Sequence, residues 1–155
     1  GFADHLSNLP QIRDAKRVVV LGASGGGFTA LRVALALQAD ACLVYSPPTI
    51  IGRPAPLVPD LRAERLAGAF ADLDPTELDI RACWPDDRLL PTELVFGAEM
   101  PMDRAHAERL ADRAGVQLVP APGVRDHNSL LPAFESGEID AALDRLLNPQ
   151  DRARG

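Results

Sequence analysis

The first residues whose types and spacing could do chemistry are Gly22-Ala23-Ser24-Gly25-Gly26-Gly27. Gly22 to Gly26 fit G-x-S-x-G, the nucleophile elbow, in which a sharp strand-to-helix turn lifts a serine Oγ above a sheet. Small residues two before and two after the serine spare the neighbouring backbone. The helix that opens behind it aims an oriented N–H, that of Gly25, at a developing oxyanion. The same glycines could instead cradle a dinucleotide. That fingerprint wants a glycine where Phe28 stands, or Gly27 in a shifted variant. It also wants an acid or arginine where the second strand ends Val44-Tyr45-Ser46-Pro47. The plainest alternative is a tight turn whose glycines only permit close helix–strand contact.

A lone serine is a weak nucleophile; it needs a base, and the base needs an orienting acid. The chain has three histidines. His5 and His106 fall inside expected helices and read as solvated. His127 falls in the polar turn 123–129, just after the fourth expected strand, at the sheet end from which Ser24 would project. The acid is expected from the loop after the third strand, 97–103. Asp103 is the first choice there, although aspartate ahead of a helix is also a favoured cap. Glu99 is the alternative acid. Asp126 is adjacent to His127, and neighbouring side chains diverge. With the histidines dispersed, no ligand-spaced cluster forms, so neither a metal nor an organic cofactor is expected.

These residues need a scaffold, and strand–helix alternation supplies one. Val18 to Leu21, Ala41 to Tyr45, Glu93 to Phe96 and Val116 to Val119 read as strands, the last two closed by Gly97 and Pro120. Helices are expected over 26–38, 62–71, 103–114 and 129–147, the last capped by Ser129. The pattern predicts an α/β fold: a small parallel sheet of about four strands, ordered as in the sequence, with helices on both faces. The N-terminal segment and the final helix are the expected cover for the second face. Between Ser46 and Pro59 stand five prolines in fourteen residues. This is irregular chain at the strand end that borders ligand sites, or else a stiff surface connection.

Composition bounds the rest. The chain has 155 residues, 46% of them hydrophobic, and a net charge of −6. That fits one domain over residues 1–155, and a start at Gly1 rather than Met leaves open that it is a fragment. The charge argues against nucleic acid and membrane surfaces as partners. Cys42 and Cys83 form no metal-type pair, and no signal segment or span is evident, so a reducing, cytoplasmic compartment is expected.

The stretch from Val18 to about Leu147 resembles the C-terminal half of the α/β-hydrolase superfamily. The resemblance lies in Gly22 to Leu31 as elbow and helix, Phe96-Gly97 with Asp103 to Leu110 as acid strand and helix, and Pro122 to His127 as histidine loop. It implies a serine esterase with Ser24 as nucleophile, Asp103 as acid, His127 as base and Gly25 as oxyanion donor. The substrate it implies is a small-molecule or glycan acyl ester. The combination also resembles a bacterial subgroup of hydrolase-like proteins, some linked to glycan or capsule biosynthesis. Two departures stand out. Met100 occupies the position of the commonest family acid, and the family's first strands, which carry a second oxyanion N–H, are absent. Loss of one such donor is worth about 2.7–4 kcal/mol in the transition state. A catalytically inactive remnant acting as a binding module, and a nucleotide-binding domain, are therefore the competing expectations. The first strand would also offer an open edge for a homodimer.

Overall fold

Four runs of aliphatic and β-branched residues form strands β1 (Val19–Ala23), β2 (Ala41–Tyr45), β3 (Thr92–Gly97) and β4 (Val116–Ala121). They are seen in a computed structural model that describes residues 2–52 and 68–149. The strands pair in parallel in the order β1-β2-β3-β4, as their alternation with helices requires. Every residue of β2 and β3 is buried, because both central strands are covered on both faces. The edge strands are only partly buried. Pro120 does not end β4 as expected. It stands opposite Phe96 inside the strand, a place open to proline on an edge strand, where no outer ladder bond is lost.

Seven helices accompany the sheet among the described residues: α1 (Phe2–Ser7), α2 (Pro10–Arg13), α3 (Ser24–Leu37), α4 (Ile80–Cys83), α5 (Pro101–Glu108), α6 (Leu130–Glu135) and α7 (Glu138–Leu147). Successive side chains of β2 point to opposite faces. Cys42 and Val44 join Phe28, Leu31, Ile80 and Leu110 in one core. Leu43 and Tyr45 join Ala133, Ala142 and Leu146 in the other. Helices α3, α4 and α5 therefore cover the first face, and α6 and α7 the second.

Several expectations are corrected. The N-terminal segment does not cover the second face, because α1 lies against α3. The helix expected to reach Ala114 ends at Glu108. Beyond it, the N–H groups of Leu110, Ala111 and Arg113 reach carbonyls only three residues back, which makes tight turns. The helix expected over 129–147 is two helices, parted by Gly137 at a φ of 76°. The expected helix over 62–71 and Pro54, Pro56 and Pro59 lie largely outside the described residues, of which Gly68–Phe70 form a short 3-10 turn. Directly after β2 the chain turns inward rather than along the surface: Pro47, Thr49 and Ile50 are buried, and Ile50 bridges Asp79. No helix among the described residues is long and apolar enough to cross a membrane.

Candidate active site

Strand β1 ends at Ala23 with extended backbone, and α3 begins on the next residue, Ser24. The reversal is so abrupt that Ser24 takes a φ of 51°. That left-handed conformation costs a non-glycine residue about 1–3 kcal/mol. Gly22 allows the bend: a Cβ there would lie 2.5 Å from the Gly26 carbonyl oxygen and 2.7 Å from the Ala30 Cβ. Gly26, expected to be small for the same reason, is not so constrained, since a Cβ there would meet nothing within 4 Å among the described residues. Gly27 is needed instead, because its Cβ would lie 2.9 Å from that of Pro47. Gly22→Ala is therefore expected to lower stability by about 1–3 kcal/mol through overpacking. Gly26→Ala should be neutral or stabilising, because alanine favours the helix. Urea unfolding of the two variants tests this contrast.

The first turn of α3 carries no acidic side chain, so the positive end of the helix and the Gly25 N–H stand beside Ser24 unneutralised. The Ser24 hydroxyl lies 2.7 Å from His127 Nε2. The opposite ring nitrogen, Nδ1, lies 2.6 Å from Asp103 Oδ1. A carboxylate only accepts, so Nδ1 carries the proton and Nε2 presents its lone pair to the serine. His127 is about one-fifth exposed, whereas the Asp103 side chain is only 1% exposed. A ligand can thus reach the serine–imidazole end while the carboxylate stays dry, where its field on the ring is least screened. The other Asp103 oxygen, Oδ2, finds no partner among the described residues.

Asp103 is not the helix cap that its sequence position allowed. Met100 occupies the cap of α5 and Pro101 opens the helix, so Asp103 falls on the third helical residue and turns toward the sheet end. Gly97 lets the two site loops touch: a Cβ there would lie 3.0 Å from the Val124 carbonyl oxygen and 3.1 Å from that of Asp126. The loops are also stitched by Ala98 N–H to the Ala121 carbonyl and Glu99 N–H to the Val124 carbonyl. Glu99, the alternative acid, takes Arg125 instead, whose Nε lies 2.6 Å from its Oε2 on the exposed rim. Asp126 accepts from the Asn128 N–H.

Two supporting groups were not read from sequence. Ser129, expected as a cap, makes no capping bond. Its hydroxyl instead lies 2.7 Å from that of Ser46, with both residues buried. This ties the end of the histidine loop to the end of β2. His106, expected to be solvated, is buried and its Nδ1 accepts from the Thr49 N–H. It shares the stripe of α5 that faces the sheet with Asp103 and Ala107. His5 is exposed, as expected.

No protein-family model matches this chain, and no curated protein matches it. Among solved structures it is similar to the esterase Pf2001 of Pyrococcus furiosus, with a TM-score of 0.53 and 18% identity. The match covers 93% of this chain and 59% of the esterase chain. The chain thus spans little more than half of that protein's length, and the likeness is one of fold, an α/β fold built on a parallel sheet.

Proposed function

We propose that the chain is a serine hydrolase that cleaves an ester or similar acyl bond. The observation that carries this reading is the continuous line Ser24 Oγ, His127 Nε2, His127 Nδ1, Asp103 Oδ1, with its two hydrogen-bond distances of 2.7 and 2.6 Å. In this reading Ser24 Oγ attacks the acyl carbon while its proton passes to Nε2. The tetrahedral oxyanion is met by the Gly25 N–H at the head of α3. Nε2 then returns the proton to the departing alcohol oxygen as the acyl–oxygen bond breaks. Water gives a proton to the same nitrogen as it attacks the acyl carbon, and that proton passes to Ser24 Oγ as the acyl–serine bond breaks, releasing the acid and the free serine. Asp103 holds the tautomer and balances the transient imidazolium charge. A small-molecule or glycan acyl ester is the proposed substrate class, the glycan resting on the resemblance alone.

The test is covalent labelling with a fluorophosphonate, read by peptide mass spectrometry, alongside hydrolysis of p-nitrophenyl acetate. Labelling at Ser24 with parallel loss of hydrolysis supports the proposal. An unlabelled Ser24 in a folded protein, with saturable binding of NAD or NADP, would favour the dinucleotide cradle and sink it. The hydrolase reading is preferred because the serine hydroxyl is engaged by an imidazole rather than turned toward a phosphate cradle.

A further inference from the structure

The second core is not closed where α6 and α7 meet the β3–β4 side of the sheet. A cavity of about 370 Å³ opens there, a size typical of small-molecule sites. Its walls are mostly apolar, with Val95, Val119 and Ala121 from the sheet and Pro132, Ala133 and Ala142 from the helices. Neither Ser24, Asp103 nor His127 lines it. Tyr45 does; it is fully buried, yet among the described residues its hydroxyl has no hydrogen-bond partner. A buried hydroxyl is ordinarily satisfied; this one lies in the cavity wall with no open surface of its own, so a ligand oxygen reaches it as the neighbouring side chains give way. Glu93 and Glu138 also line the cavity, and both carboxylates are bridged by one guanidinium, that of Arg145. Two negative groups against one positive make this wall hostile to anions.

We infer that this cavity is a second binding site, for a small uncharged amphiphile with an apolar body and one hydroxyl or carbonyl oxygen set on the Tyr45 hydroxyl. Burial, together with the Glu138 and Glu93 carboxylates, pushes the Tyr45 phenol up to about 12. It is therefore a protonated donor at neutral pH. Val124 and Ser129 extend the lining into the loop that carries His127, so an occupant would sit behind that loop rather than in front of the serine.

The experiment is a titration of the full chain with 4-butylphenol, butylbenzene and 4-butylbenzoate, followed by amide chemical shifts. The expected result is saturable binding of 4-butylphenol, with shifts centred on Ala133, Ser136 and Ala142 rather than Gly25, and much weaker binding of the benzoate. Tyr45→Phe should weaken 4-butylphenol about three- to tenfold, the range of one neutral hydrogen bond, while leaving butylbenzene unchanged. It should also unfold at no lower a temperature, since it deletes an unpaired buried hydroxyl. Val119→Phe, which fills the cavity from the edge strand, should abolish binding of the phenol. Unsaturable or active-site shifts, benzoate binding equal to the phenol, or undiminished binding by Tyr45→Phe would each overturn the inference. None of these readouts uses hydrolysis, so they stand or fall apart from the role of Ser24.

Discussion

Ser24→Ala is expected to reduce kcat for an activated ester by about 10⁶-fold, as removal of the attacking group does in this chemistry, and to abolish fluorophosphonate labelling. The variant should fold, because the side chain is only partly buried and its loss opens no core cavity. A paired variant makes the prediction specific to this site. Ser24 holds a φ of 51°, where a Cβ costs roughly 1–2 kcal/mol and glycine pays no such penalty. Ser24→Gly should therefore be as inactive as Ser24→Ala yet more stable than it by about 1 kcal/mol, or about 2–4 °C in Tm for a chain of this size. Inactive variants of equal stability would show that the bend is not strained. Retained activity in either variant would remove Ser24 from the chemistry.

Asp103→Asn carries the second large effect, about 10⁴-fold in kcat. An amide in place of the carboxylate can donate to His127 Nδ1, which then places the proton on Nε2 and leaves nothing to accept from Ser24. The substitution is nearly isosteric, and Asp103 is buried with one oxygen unpartnered among the described residues, so the fold should persist by circular dichroism. Glu99→Gln is the control. Its carboxylate engages Arg125 on the exposed rim, an ion pair worth no more than about 1 kcal/mol. A loss below about fivefold in kcat is expected. If Glu99→Gln were the more damaging of the two, the acid would have to be reassigned.

What the sequence disclosed followed physical range. The strands were legible because a parallel sheet covered on both faces demands unbroken apolar runs, and Ala41 to Tyr45 is such a run. The order of the strands followed from alternation with helices. Ser24, His127 and Asp103 could be nominated because each stands just beyond a strand end, and parallel strands gather those ends on one side. Features set by contact between distant elements were not legible. The burial of His106 depends on which face of α5 meets the sheet. The Ser46–Ser129 tie joins residues 83 positions apart. The Tyr45 cavity is lined by residues of β2, β3, β4, α6 and α7, a meeting of five elements that no local pattern announces. The place of β1 at the end of the sheet, by contrast, was foreseen: among the described residues it pairs with β2 alone.

Ser24 and His127 meet across 103 positions of chain, with all four strands laid down between or beside them. A ribosome must therefore release nearly the whole described length before the two groups can meet, and a refolding chain must bring the loop after β4 to the head of α3 before the serine has a partner. Catalytic competence should appear late and all at once, after helical signal has recovered. It would then report completed tertiary assembly more faithfully than any spectroscopic measure of backbone order.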